Sequence, residues 1–320
     1  MSQKLMDRVR SALRLHQYSY QTEKSYCRWI VRYIHFHGIR HPAEMGATEV
    51  EAFLSYLASQ RKVSASTQNQ ALSALLFLYR NVLDLKLPWL DNIVRARRPQ
   101  RIPVVLDRSE VARILGGLSG KYWLIASLLY GSGLRLIECL RLRLKDIDTD
   151  YLQISVFDGK GKKDRRTVLP QKLVPHVRRQ TEVVLAGLDN DRSKGRPGVS
   201  IPYALDRKYA NAPLSPSWQY LFPSVKYAYI EFHGEHRRHH LHPNSVQRVV
   251  RGAAIRSGIR KRVSCHTFRH SFATHLIESG YDIRTVQELL GHSHVNTTMI
   301  YTHVLQRGGK CVRSPFDAMP

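Results

Sequence analysis

Residues 91–103 read DNIVRARRPQRIP, and this stretch decides how the chain is organised. It holds two prolines and the arginines Arg95, Arg97, Arg98 and Arg101. Proline has no N–H for the helical ladder and the like charges repel, so the stretch cannot form a packed helix and reads as an extended basic linker with a domain on either side. A solvated charged loop is the plainer reading of Arg95, Arg97 and Arg98, and contact with phosphate is the functional one.

Upstream, residues 1–90 keep a helical period. Tyr26, Trp29, Ile30, Tyr33 and Ile34 recur at i, i+3, i+4, i+7 and i+8, and the run stops near Gly38. Thr48 and Glu51 have capping-box spacing ahead of Val50, Phe53, Leu54 and Leu57. Leu72, Leu75, Leu76 and Tyr79 mark a further helix and residues 1–15 a first one, which predicts an all-α domain of about four helices. Downstream, residues 104–320 are mixed. Asp107 and Glu110 cap a helix, and residues 122–130 are apolar on every side, as a buried helix is. Leu152, Ile154 and Val156 alternate before DGKGK, with Arg166 and Val168 after it, which predicts a hairpin with its tip near Gly159 to Gly161. A helix over 172–186 follows, then a Gly-, Pro- and Ser-rich excursion over 187–217, then helices over 245–257, 267–278, 283–290 and 297–304. The expected fold is mainly α with a small antiparallel β-sheet, an all-α N-terminal domain followed by a mixed α+β domain.

Composition narrows the function classes. The 320 residues carry 50 Lys and Arg against 25 Asp and Glu, a formal net charge of +25, which predicts a polyanionic partner: nucleic acid first, an anionic membrane surface second. The longest apolar run, 122–134, is shorter than the roughly 20 residues needed to span a bilayer and is interrupted by Ser and Gly. Charges in MSQKLMDRVR stand where a secretion signal would be apolar, so a cytoplasmic protein is expected. Cys27, Cys139, Cys265 and Cys311 form no CxxC pair, which argues against a disulfide framework and a cysteine zinc site.

Two segments concentrate chemistry. In GSGLRLIE, 131–138, glycines permit a sharp turn into a helix that begins with Arg135. A cation at a positive helix end is poorly placed unless an anion sits there, although pairing with Glu138 is the plainer reading. The second segment is CHTFRHSFATH, 265–275, followed by LGHSH, 290–294, and Tyr301. His266 and Arg269 share a helical face and can converge on one oxyanion. A metal site on His266, His270 and His275, or on His292 and His294, lacks an HExxH spacing, and GSG lacks the GxSxG elbow of a serine hydrolase. Phosphoryl transfer remains. Two arginines can hold the non-bridging oxygens of a phosphodiester and histidines can bond them or move a proton, with no metal or cofactor required. A phenol, with a pKa of about 10, forms an ester that keeps a usable leaving group for the reverse attack by a 5′-hydroxyl. Lys160, at the hairpin tip, is the best placed donor to the departing 5′-oxygen, with Lys162 and Lys163 as backbone contacts; a solvated turn is the plainer reading of all three.

Taken together, GSGLR (131–135), GKGKKDR (159–165), HTFRHSFATHL (266–276), LGH (290–292) and IYTHV (300–304) resemble the catalytic boxes of the tyrosine recombinases, the phage integrase family, in order and spacing. The resemblance implies a core-binding domain over 1–90, the linker 91–103 and a catalytic domain over 104–320. By it, Arg135, Lys160, His266, Arg269 and His292 are catalytic, Tyr301 is the nucleophile that forms a 3′-phosphotyrosyl intermediate, and Glu138 is structural. It implies a bacterial, nucleoid-associated enzyme acting as four protomers on two DNA sites, with residues 310–320 reaching a neighbour. Within the family the chain is most similar to the integron integrases. Ala210 to Pro213, WQYLFPS (218–224) and the run Arg237, Arg238, His239, His240 resemble their added segment, here about 187–240. That likeness implies integration and excision of gene cassettes at attC and attI sites, including attC folded from one strand. Trp218, His239 and His240 would stack on protruding bases, with Arg237 and Arg238 also contacting DNA; the plainer readings are a core role for Trp218 and a phosphate-binding basic strip for the run 236–240. The rivals are a phage-type or chromosome-dimer-resolving recombinase on duplex sites, and a non-catalytic architectural DNA-binding protein.

Overall fold

Helix periodicity governs the first part of the chain, where α1 (Leu5–Leu15), α2 (Tyr20–Phe36), α3 (Ala47–Ser59) and α4 (Ala65–Phe77) follow one another and α4 widens into a π turn over Leu78–Val82. The structure, a computed structural model, describes residues 4–85, 96, 103–157, 164–202, 205–230 and 234–301, with the side chain of Arg207 left aside. The chain divides into two compact units, Met1–Arg101 and Ile102–Pro320. Ser19 and Ser64 accept the backbone N–H of Thr22 and Thr67, capping α2 and α4. The cap of α3 is not the Thr48 and Glu51 pair that the spacing predicts. Glu49 Oε2 accepts from the Gly46 N–H at 2.7 Å, so the helix starts two residues earlier: both glutamates have the reach, and Gly46 takes its N-cap conformation, φ −133° and ψ −146°, without side-chain cost. The apolar stripe of α2 splits between two clusters. Trp29 and Tyr33 pack with Phe53, Leu57, Leu72, Leu75 and Tyr79, while Ile30 packs with Val9, Leu13, Phe77 and Leu78.

In the second unit α5 (Arg108–Gly116) carries the expected box, Asp107 accepting from Glu110 N–H at 2.8 Å and Glu110 returning the bond at 2.9 Å. The helix α6 (Gly120–Gly131), apolar on every side beyond Lys121 except at Ser127, is buried from Leu124 to Leu129. After α7 (Leu136–Arg141), strands β1 (Ile147–Asp148), β2 (Gln153–Val156) and β3 (Arg165–Val168) form an antiparallel sheet in which Ile154 faces both Ile147 and Thr167 and turns into the core. The expected hairpin is therefore present, although its tip lies outside the described residues. Helix α8 (Val174–Ser193) runs further than its expected end, and α9 (Leu205–Lys208) is one turn. A second antiparallel pair follows, β4 (Pro223–Ile230) with β5 (Glu235–His240), in a region read from sequence only as an addition. The final third comprises α10 (Pro243–Arg256), α11 (Cys265–Glu278), α12 (Ile283–Leu290) and α13 (Asn296–Met299). Leu124 to Leu129 of α6, Val246 and Val250 of α10 and Phe268 of α11 share one core, whereas Phe272, Val286, Leu290 and Tyr301 form a smaller cluster beside it. No helix of the described residues is long and apolar enough to cross a membrane.

Candidate active site

Two glycines aim the site. Gly133 has φ +62°, and a Cβ there would lie 2.4 Å from the Phe272 ring, so both conformation and space demand glycine. The turn it makes after α6 sets Arg135 at the N-cap of α7, where Glu138 Oε2 accepts the Arg135 backbone N–H at 2.8 Å. Gly291, with φ +63°, ends α12, and a Cβ there would meet Arg165 Cδ at 2.6 Å. This left-handed end turns the chain so that His292 comes back toward α11.

Glu138 is the electrostatic centre. Arg135 Nη1 donates to its Oε1 at 2.7 Å, Arg165 donates to Oε1 at 3.1 Å and Oε2 at 2.7 Å, and Arg269 Nη1 lies 3.8 Å away. The Arg135–Glu138 pair offered as the plainer reading thus exists. It does not cancel the positive field, because three guanidinium charges less one carboxylate leave a net +2. Burial alone would push the Glu138 carboxyl up, but hydrogen bonds from Arg165 and Arg135 hold it at about 2.

Arg269 is only 1% exposed and ties three segments together. Its Nη1 donates to Gly133 O at 2.6 Å, and Nη2 to Leu290 O at 2.6 Å and to His292 Nε2 at 3.1 Å. A guanidinium only donates, so His292 Nε2 must accept and its proton must sit on Nδ1, which donates to Thr298 Oγ1 at 2.9 Å. Burial and the neighbouring Arg269 drive the His292 pKa down to about 3, consistent with that neutral tautomer. Arg269 Nε is buried and has no hydrogen-bond partner among the described residues.

Tyr301 follows α13 and is 1% exposed. Its hydroxyl lies 2.9 Å from His270 Nδ1, and its ring is nearly parallel to that of His292 at 6.4 Å between centroids. His270 packs edge-on against His266 at 4.6 Å, one helical turn away on α11. Burial raises the phenol pKa, and the charges of Arg269 and Arg135 oppose that rise. Arg135, His266, Arg269, His292 and Tyr301 therefore meet in one region. Lys160, Lys162 and Lys163, like Arg95, Arg97, Arg98 and residues 310–320, lie outside the described residues. Sequence reasoning missed two participants. Arg165 closes the GKGKKDR stretch, and His270, weighed only as a metal ligand, stands four residues after His266, where a helix puts it on the same side. Among the described residues, no group of three or more His, Cys, Asp or Glu side chains is placed to hold a metal ion.

The residues expected to meet bases and phosphates sit apart from this centre. Trp218 is half-buried against a satellite cluster of Val199, Ile201, Ala212 and Tyr220. Lys145 Nζ stands 3.1 Å from the centroid of its ring and the Arg143 guanidinium 5.2 Å away. Arg238 donates both Nε and Nη2 to the buried carboxylate of Asp191, and Arg237 pairs with Asp206 and Glu235. His240 is buried and bonded through Nδ1 to Leu241 O at 2.8 Å, while His239 is half-buried with its ring 4.1 Å from that of His240. Burial, then the neighbouring His240 and Arg141, lowers the His239 pKa to about 4.

A buried phenol beside paired arginines and neutral imidazoles, on a two-unit helical scaffold, defines a phosphoryl-transfer centre built on a tyrosine. Comparison with known proteins agrees. Residues 105–307 match the phage integrase family, and residues 5–89 match the phage integrase N-terminal SAM-like domain. Proteins named "Integrase/recombinase" from Escherichia coli and from Pseudomonas aeruginosa are each 51% identical over 319 residues, covering 100% of this chain and 95% of theirs. The solved structure of a lambda integrase (75-356) dimer bound to a COC′ core site shares the fold with a TM-score of 0.64 at 17% identity, over 97% of both chains. The chain belongs to the phage integrase family and is a tyrosine site-specific recombinase.

Proposed function

We propose that this recombinase is an integron integrase, which cleaves and rejoins DNA through a 3′-phosphotyrosyl bond on Tyr301 and moves gene cassettes between attC and attI sites, including attC folded from a single strand. The observation that carries the cleavage chemistry is the meeting of Arg135, His266, Arg269 and His292 around Tyr301. Arg135 and Arg269 hold the non-bridging oxygens and stabilise charge in the pentacoordinate transition state, His266 and His292 bond the same oxygens, and Lys160 protonates the departing 5′-oxygen. Nicked duplex substrates test the nucleophile: the wild-type chain forms a covalent protein–DNA adduct and Tyr301→Phe forms none. An adduct on the phenylalanine variant sinks the assignment.

The cassette reading is supported by the segment between the hairpin and α10, which carries its own strand pair, sets Trp218 under Lys145 and Arg143, and puts His239 within the field of Arg141 and Arg143. Aromatic faces of this kind stack on an unpaired base whatever its identity. Four protomers on two sites, with residues 310–320 reaching a neighbour, complete the proposal. The direct test measures binding to a folded bottom-strand hairpin with bulged bases against the matched perfect duplex; a preference of ten-fold or more for the hairpin is expected. Equal affinity favours the second reading, a recombinase of duplex sites only. The pairing of Arg237 and Arg238 with carboxylates speaks for that reading, since an arginine already neutralised contributes little to phosphate binding. Both readings predict that affinity falls steeply with salt, since log K drops by about 0.9 per neutralised phosphate for each unit of log salt.

A further inference from the structure

The four residues around Tyr301 are assigned to holding the phosphate and Lys160 to the leaving group, which leaves the phenolic proton to be accounted for. A buried phenol is a weak nucleophile until something accepts that proton, and its burial here raises the demand. His292 is unsuited: its Nε2 takes a hydrogen bond from Arg269 and its Nδ1–H is given to Thr298. Protonating Nε2 would break the link to the guanidinium and add a charge beside Arg135, Arg165 and Arg269.

We propose that His270 is a catalytic residue, the general base that accepts the Tyr301 proton on Nδ1 as the phenolic oxygen attacks phosphorus. The proposal rests on Tyr301 being the nucleophile. The bond between Tyr301 Oη and phosphorus forms, the bond from phosphorus to the 5′-oxygen breaks with its electron pair on that oxygen, the phenolic proton passes to His270, and the 5′-oxygen is protonated from the leaving-group side. In the rejoining step His270 returns its proton to the phenolate as tyrosine departs. The contact is already at hydrogen-bond length, 2.9 Å, and α11 carries His270 on the same side as His266, one turn from it. Among the described residues, the ionisable groups facing His270 are His266 and Arg269 from its own helix and Tyr301 from the segment after α13. Burial, then His266 and Arg269, keeps the imidazole neutral, with a pKa held down to about 4, so one ring nitrogen has a lone pair to accept with, and the proposal assigns it to Nδ1, the nitrogen that faces Tyr301. A DNA phosphate entering among these cations brings a negative charge that raises the proton affinity of His270, so its basicity increases with substrate bound.

Single-turnover adduct formation by the full chain tests this. Adduct formation by wild type and its loss in Tyr301→Phe first establish the nucleophile, so failure there is a failure of the parent reading and not of this one. His270→Asn keeps an oxygen near Nδ1 that accepts a hydrogen bond but not a proton, and His270→Ala removes both. Each is run on an ordinary phosphodiester and on a 5′-bridging phosphorothiolate, whose sulfur leaves without needing a proton. We expect DNA binding as in wild type, a rate loss of roughly 10²–10³ on both substrates, recovery as pH rises toward the phenol pKa, and partial rescue of His270→Ala by free imidazole. Wild-type rate in His270→Asn at every pH reduces His270 to a positioning residue and overturns the proposal. A defect cured by the sulfur substrate overturns it too, because it moves the proton to the leaving-group side. If His270→Ala fails to bind DNA, the asparagine variant carries the same comparison.

Discussion

Tyr33 in the N-terminal unit and Tyr301 in the C-terminal unit are both buried phenols, and their hydroxyls end in opposite kinds of partner. Tyr33 Oη lies 2.8 Å from Tyr79 Oη, and Tyr79 donates onward to the Met45 carbonyl at 3.2 Å. A carbonyl accepts a hydrogen bond but not a proton, and burial together with the Tyr79 contact pushes the Tyr33 pKa well above that of a free phenol. Tyr301 instead meets an imidazole, with guanidinium charges near enough to oppose the effect of burial. Burial therefore makes a tyrosine inert in one unit and leaves it available in the other. The partner decides, not the depth.

The largest expected effect breaks this comparison on the chemical side. Tyr301→Phe removes the attacking oxygen and should abolish the adduct on nicked DNA while leaving binding intact, whereas Tyr79→Phe should leave the adduct rate at the wild-type value. Next in size is the charge hub. Glu138→Gln strips the one carboxylate that, among the described residues, balances Arg135 and Arg165 with Arg269 close by, and leaving such charges uncompensated should cost about 3–5 kcal/mol in urea unfolding, with cleavage lost as Arg135 is no longer held. Asp191→Asn, which breaks the Arg238 pair in the β4–β5 region, should also destabilise the fold but spare duplex cleavage. Equal loss of cleavage in the two variants would mean that the hub has no special tie to the reaction. Smaller again is Tyr79→Phe itself, at about 1–3 kcal/mol in the same unfolding experiment, because the Tyr33 hydroxyl and the Met45 carbonyl are left buried without this partner.

How far the sequence could be read follows the same physics. Periodic apolar stripes such as Trp29, Ile30 and Tyr33, and the largely apolar α6, announce themselves because burial repeats with the helix. The β4–β5 pair does not, because neither strand buries a full apolar face: β4 is half exposed, and β5 is charged. The alternation of Val225, Tyr227 and Tyr229, with Gly234 near the turn, was the available signal. At the site, residue types at fixed spacing in α11 gave His266 and Arg269, and a glycine stop gave His292. What spacing could not give is where each proton and donor goes. That Arg269 directs two of its bonds to the Gly133 and Leu290 carbonyls, or that Tyr301 faces His270, depends on how α6, α11 and α12 pack, which only three dimensions supply.

Acidity sharpens the comparison with the smallest effect. His270 and His239 are each held at about 4 and His292 at about 3, below the 6.5 of a free imidazole, with burial the leading cause in every case. Because the folded values lie below the unfolded one, the unfolded chain binds protons first as pH falls. The stability these groups contribute is complete above about pH 6.5 and is lost between there and pH 4 to 3, with Glu138 adding its loss below the carboxylate range. The Tyr33–Tyr79 pair is displaced upward and does not titrate in this window, so the destabilisation caused by Tyr79→Phe should be the same at pH 5 and pH 7. His270→Asn removes one depressed imidazole and should flatten the slope of unfolding free energy against pH between 4 and 6.5. An unchanged slope in that variant would mean that His270 is protonated equally in the folded and unfolded chains, and the neutral acceptor that the Tyr301 contact requires would be lost with it.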